Sequence, residues 1–222
     1  MKKLLKSLVI TVMLVFASQA FAAAQQGRDY TLLNPAQPTD TKKIEVLEFF
    51  FYQCGHCFHL HPFLADWEKS MPADVAISYV PTMFYSSTEP LARTYFALET
   101  MGKIKQMDDA IYQAIHVKQL DLYDLDTIGA FVASNGVDRK TFASNYQSFT
   151  VNSKIERAKQ MLRQYAIDGT PTLIVDGKYK ITGLQPADTI RVLNEVIAMA
   201  RKTHPAVGKA STAAGSKAKA QH

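Results

Sequence analysis

The stretch Ile44-Glu45-Val46-Leu47-Glu48-Phe49-Phe50-Phe51-Tyr52-Gln53-Cys54-Gly55-His56-Cys57 decides the fold. Ile44 to Tyr52 is almost continuously β-branched or aromatic, as a strand buried on both faces requires. That strand runs straight into two cysteines. From Cys57 to about Ser70 the spacing turns helical, with Phe58, Leu60, Phe63, Leu64 and Trp67 apolar. Pro62 inside that helix removes a backbone donor and predicts a kink. Val75 to Val80 reads as a second strand. Strand, crossover helix and strand form a βαβ unit, which implies parallel strands joined right-handedly.

Beyond this unit the pattern changes. From about Glu89 to Ala166 the chain reads as helical and contains no convincing strand. Leu91, Tyr95, Phe96 and Leu98 make one apolar face, stopped at Gly102. Asp124 is placed to cap a helix through Leu125, Ile128, Phe131 and Val132, with Gly136 just past its end. Asp138 would cap a short helix through Phe142, and Ser153 a longer one through Ile155, Ala158, Met161, Leu162 and Tyr165. Strands return at Thr172 to Val175 and Tyr179 to Thr182, separated by Asp176-Gly177, a hairpin signal. Gln185-Pro186-Ala187-Asp188 then opens a final helix through Ile190, Leu193, Val196 and Ile197. The skeleton is βαβ, a helical block, then ββα, without internal repeats.

The ends of the chain carry a different message. Lys2, Lys3 and Lys6 precede the apolar run Ser7 to Ala17, and Ala20-Phe21-Ala22-Ala23-Ala24 supplies small residues for cleavage. That order describes a secretory leader, removed after Ala22 or Ala24, with an apolar run too short to anchor comfortably. No later stretch is apolar enough to span a membrane, so a soluble mature protein is expected. The net charge of +5 misleads. Three of the 25 basic residues lie in the leader and five from Arg201 onward; the remaining 17 face all 20 acids, a net of −3 over residues 25–200. A nucleic-acid partner is therefore not implied. The tail from 201 to 222 is poor in apolar residues and is expected to be disordered.

Two cysteines, three positions apart, in a chain addressed to an oxidising compartment make an unusual pair. Structural disulfides gain from closing long loops, and a bridge across two residues closes almost nothing. The pair makes better sense as a reactive group. Disulfide exchange needs a thiolate. Cys54 lies at a strand-to-helix turn, where free N–H groups and the positive end of the helix dipole would face its sulfur. His56 offers a cation or hydrogen-bond donor, and Gly55 leaves the sulfur uncovered. Cys57, one turn further in, should be more buried. Cys54 is therefore read as the attacking sulfur and Cys57 as the resolving one.

The same motif could be half of a zinc site, with His59 and His61 as further ligands. Closed zinc sites usually draw ligand pairs from separate segments, and four ligands on one turn and helix could not easily surround a metal. No metal is expected. Glu48, six residues before Cys54, would be partly buried with a raised pKa and could relay protons to Cys57; a solvent-facing strand position is the bland alternative. His116 shows no partner and reads as structural. Thr170-Pro171 opens the third strand; a proline there is permissible anywhere, but it could also hold a cis peptide beside the cysteines and offer the Thr170 backbone to an extended peptide.

Taken together, FFFYQ-CGHC, the helix containing Pro62, and Gly169-Thr170-Pro171-Thr172 leading into a hairpin and helix resemble the thioredoxin superfamily over about Ile44 to Ala200. Within it the chain resembles the DsbA family of bacterial periplasmic disulfide oxidases. Pro171 follows Cys57 by 114 residues, and the excess over a bare thioredoxin domain is the helical block. VLEFF also looks like the DsbA strand with its buried acid, which puts that acid at Glu48. The resemblance implies an α/β thioredoxin-like fold, a mixed sheet flanked by helices, with an inserted all-helical domain. Its parts would be a leader (1–24), a thioredoxin-like domain (25–88 and 167–200), a helical insertion (89–166) and a basic tail (201–222). It implies Cys54 as nucleophile, Cys57 as resolving thiol and Thr170-Pro171 as the cis-proline dipeptide. It further implies reduced exported polypeptides as substrates, a DsbB-like quinone-linked membrane oxidant as partner, and no organic cofactor. A periplasmic monomer is expected. Gly55-His56 replaces the proline-histidine of many family members and leaves the oxidising strength open. An isomerase or reductase of the same fold, or a Cys/His metal carrier, are the alternatives.

Overall fold

β2 (Ile44–Phe50) is an interior strand of a five-stranded sheet, with one strand on one side of it and three on the other. The computed structural model describes residues 23–39 and 42–204; the leader before residue 23 and the tail beyond residue 204 lie outside them. β2 pairs in parallel with β3 (Val75–Pro81) and antiparallel with β4 (Thr172–Val175). β5 (Tyr179–Thr182) continues the sheet antiparallel, and the two-residue β1 (Thr31–Leu32) closes its far edge. The ladder ends at Phe50, two residues before the expected end, because Tyr52 and Gln53 form the turn into helix α1 (Gly55–Glu68). Pro62 lies inside α1.

Five α-helices, preceded by a single 3-10 turn at Ser86–Thr88, occupy the chain between β3 and β4: α2 (Glu89–Thr100), α3 (Ile104–His116), α4 (Leu125–Ser134), α5 (Arg139–Tyr146) and α6 (Phe149–Gln164). Asp124 and Asp138 cap α4 and α5 through their carboxylates, which accept from Thr127 N–H and Thr141 N–H, each at 2.8 Å. The cap of α6 is not the expected Ser153. Ser148, not Ser153, has the extended backbone and accepts from Val151 N–H at 3.2 Å. Phe149 in the first turn is exposed, so the apolar pattern does not reveal that turn.

The Asp176-Gly177 turn holds both residues at positive φ, +52° and +61°, as a tight hairpin between right-twisted strands requires. Helix α7 (Pro186–Thr203) then packs on the sheet beside α1. It runs three residues into the stretch expected to be disordered. Arg201 forks onto the Asp74 carboxylate at 2.6 and 2.9 Å, and buried His204 meets Asp176 at 2.7 Å. These contacts tie the helix end to the loop before β3 and to the β4–β5 turn, which composition alone does not show.

Two apolar clusters hold the molecule. Ile44 and Val46 join Leu60, Leu64 and Trp67 of α1 and Val192, Leu193 and Val196 of α7. Leu47, Phe49, Phe50, Tyr52 and Cys57 join a second cluster with Tyr95, Met107, Ile111, Tyr112 and Ile155 of the helical block. Each such side chain contributes roughly 1.5–3 kcal/mol of burial, so the strand is fixed from both faces and the cysteine turn leaves it in one direction.

Candidate active site

β2 delivers Cys54 to the N-cap position of α1, with extended backbone at φ −79° and ψ 115°. The turn is closed by Cys54 N–H donating to Phe51 C=O at 3.0 Å, and the helix begins with Phe58 N–H donating to Cys54 C=O, also 3.0 Å. Both cysteines are free thiols. Cys54 is half-buried and Cys57 fully buried.

The two sulfurs differ sharply in acidity. A hydrogen bond from the Cys57 thiol is the largest of the effects that pull the Cys54 pKa from 9.0 down to about 5. Thr170 and the backbone N–H groups of Cys57 and His56 add to it, against the opposing cost of burial. Those N–H groups are the unpaired donors expected at a helix start. Cys57 moves the opposite way, raised by burial, by its hydrogen bond to Cys54 and by the neighbouring Glu48 charge. His56 itself is exposed, and what it gives the sulfur is its backbone N–H.

Thr170-Pro171, joined by a cis peptide, stands across from the pair, with Cys54 Sγ 3.5 Å from Thr170 C=O. Asn34-Pro35 is also cis, which nothing in its surroundings in sequence suggests.

Glu48 faces neither solvent nor an edge. It is 3 % exposed, between Tyr79 of β3 and Leu173 of β4. Burial pushes its carboxyl well above the usual range, and the Asp108, Glu68 and Cys54 charges push it further. Around it lies a polar floor. Tyr52 Oη donates to Asp108 Oδ1 at 2.5 Å, Tyr79 Oη donates to the Glu68 carboxylate, and His61 Nδ1 lies 3.6 Å from Asp108 Oδ2. His61 is thus directed to Asp108 while His59 is exposed, so the histidines and cysteines do not converge on one point.

His116, without an apparent partner in sequence, has two in the fold. Its Nε2–H donates to Tyr52 C=O at 2.7 Å, and its ring stacks on Phe58 at 4.7 Å. Asp108 and Tyr112, which no motif singles out, belong with it. Their spacing of four along α3 is the signal that could have placed all three on one face.

Residues 45–193 match the model of the DSBA-like thioredoxin domain family. The thiol:disulfide interchange protein DsbA of Bordetella parapertussis is 37% identical over 184 residues, covering 81% of this chain and 88% of that protein. The protein of that name from Pseudomonas aeruginosa is 32% identical, covering 87% of this chain and 96% of its own. Among solved structures, Pseudomonas aeruginosa DsbA superposes with a TM-score of 0.78 at 30% identity, over 81% of this chain and 96% of that one. DsbA from Xylella fastidiosa gives 0.76 at 30% identity, over 81% and 98%.

Proposed function

This chain belongs to the DsbA family of thioredoxin-fold proteins and is a thiol:disulfide oxidoreductase, and from that premise we propose that it works as a dithiol oxidase of exported polypeptides. The observation that carries the direction is the asymmetry of the pair, a half-buried Cys54 acidified to about 5 beside a buried Cys57 pushed upward. A stabilised Cys54 thiolate favours the reduced pair, which makes the disulfide easy to give away.

A substrate thiolate attacks Cys54 Sγ of the Cys54–Cys57 disulfide, and Cys57 leaves with the S–S electron pair. Cys57 takes up a proton, because its buried thiol strongly disfavours charge. Glu48 is the proton relay for that step, supported by its burial and its raised carboxyl. A second substrate thiolate then attacks the substrate sulfur of the mixed disulfide, and Cys54 leaves as a thiolate. The substrate loses two electrons and two thiol protons. The pair gains two electrons; one of the two substrate protons ends on Cys57 and the other is released to water, leaving Cys54 as the thiolate. His56 donates its backbone N–H to the leaving thiolate. Thr170, whose carbonyl lies 3.5 Å from Cys54 Sγ, offers its backbone beside Pro171 to an extended substrate chain.

Turnover calls for reoxidation of the pair by a DsbB-like quinone-linked membrane protein, and the leader directs the chain to the periplasm. Ala24 supports a cut upstream of it, since its N–H donates to the Glu195 carboxylate at 2.5 Å. Among the described residues no helix is long and apolar enough to cross a membrane.

Redox titration of the purified protein against glutathione tests the direction. The oxidase reading expects a potential well above that of thioredoxin, and one as reducing as thioredoxin's ends it. Cys54→Ser should abolish oxidation of a reduced peptide, and activity retained by that variant would sink the assignment of the nucleophile.

A further inference from the structure

Three residues of α3, four apart, close on the cysteine turn from the helical block: Asp108, Tyr112 and His116. All three meet Tyr52. Asp108 accepts from its hydroxyl at 2.5 Å, Tyr112 packs edge-on to its ring at 4.9 Å, and His116 donates to its carbonyl at 2.7 Å. The last contact has a specific consequence. Tyr52 and Gln53 are the central residues of the turn closed by Cys54 N–H and Phe51 C=O. The Tyr52 carbonyl belongs to the peptide between them, and rotation of that peptide is what interconverts the common turn types. His116 holds it in one orientation. The same imidazole lies on Phe58, 10° from parallel, and Phe58 N–H closes the first turn of α1 onto Cys54 C=O. One side chain therefore grips the peptide before the motif and the residue after it.

We propose that His116 is a positioning residue for disulfide exchange, holding the Tyr52–Gln53 peptide and Phe58 so that the first N–H groups of α1 stay aimed at Cys54 Sγ. The helical block thereby acts on the reactivity of Cys54 through the turn that presents it. This rests on the oxidoreductase reading of Cys54. The donor must be Nε2–H, since a carbonyl only accepts. Of the ionisable side chains, Tyr112 stands beside the His116 ring at 6.2 Å, and Cys57 and Glu48 lie on the side of the sulfur.

The test follows thiolate absorbance in the ultraviolet against pH, together with the equilibrium of the reduced protein with oxidised glutathione, which yields protein disulfide and two reduced glutathiones. His116→Phe keeps a flat ring on Phe58 and removes the donor. Its Cys54 midpoint should rise from about 5 by about one pH unit, and its equilibrium should shift about tenfold toward the protein disulfide. His116→Gln restores an N–H donor and should return both readouts toward wild type. A Phe variant with the wild-type midpoint and equilibrium overturns the proposal, and so does a Gln variant as displaced as Phe. Should the Phe variant lose its fold by circular dichroism, nitrogen NMR of the wild-type imidazole decides: a proton on Nε2 supports the assignment, and one on Nδ1 overturns it. A wild-type protein with no thiolate transition below neutral pH would instead overturn the reading of Cys54 itself.

Discussion

Glu48 is an acid in a place where charge is expensive. Its neighbours in the sheet are Tyr79 and Leu173, and two further carboxyls, Asp108 and Glu68, add their repulsion to the effect of burial. An acid whose pKa is raised on folding supports the fold below its unfolded value, near 4.5, and that support is lost as pH rises toward the folded value. Glu48→Gln should therefore leave stability unchanged near pH 4 and raise it at pH 7. A gain is expected because burial makes the carboxylate costly at that pH and the amide carries no charge. Denaturant titrations at the two pH values check this; an equal effect at both would mean that the carboxyl is not displaced. The same substitution should slow protonation of Cys57, because an amide cannot hand on a proton as a carboxyl does. In the sequence Glu48 is one of two acids, with Glu45, in an otherwise apolar strand, and the resemblance of VLEFF to the DsbA strand is what singled it out. Asp108 and His116 carried no such contrast, because they lie on an amphipathic helix where polar residues are ordinary. Their meaning depends on which helix packs against the cysteine turn, a tertiary fact that helical spacing does not contain.

Elements were legible wherever a local rule governs them. Asp124 and Asp138 announce their helices because a carboxylate before an apolar run satisfies the free N–H groups of the first turn. α6 shows the limit of that rule. Two serines precede its apolar residues, and the choice between them depends on a first turn whose Phe149 is exposed. Ser148→Ala should cost about 1 kcal/mol by removing the acceptor for Val151 N–H, whereas exposed Ser153→Ala should cost about nothing. Thermal unfolding of the two variants separates them, and equal losses would restore Ser153 as the cap. Asp176-Gly177 was enough to reveal the β4–β5 hairpin, but not what the turn supports. A Cβ on Gly177 would lie 2.1 Å from the Gln37 carbonyl oxygen, at φ +61°. Gly177→Ala should thus cost roughly 2–3 kcal/mol, since neither backbone can yield cheaply. The Cys54 thiolate midpoint should stay at about 5, because the turn lies at the far end of β4 from Pro171. A thermal midpoint equal to wild type would show that the loop through Gln37 is not held there.

At the scale of the molecule, the redox state of two sulfurs is written into the stability of the whole chain. Cys57 belongs to the same apolar cluster as Met107, Ile111 and Tyr112, so the pair is not a detachable appendage of the sheet. Linking two cysteines three apart constrains the unfolded chain little, and the disulfide itself should therefore stabilise the fold only slightly and equally at every pH. The thiolate matters more. Reduced, folded Cys54 ionises at about 5 against 9.0 for an ordinary cysteine, and the disulfide form has no thiol to ionise. A depressed pKa contributes stability that is complete above the unfolded value and disappears as pH falls through the folded one. Cys57 is displaced upward and stays neutral throughout that window, and Glu48 is present in both forms, so to first order neither changes the difference. The reduced protein should then melt above the oxidised protein at pH 7. The gap should widen toward pH 9 and close below about pH 5. Calorimetry of both forms across that range measures it directly. A gap that does not move with pH would assign the oxidising tendency to strain or packing instead of to Cys54, and a reduced form that melts lower would reverse the direction of the reaction.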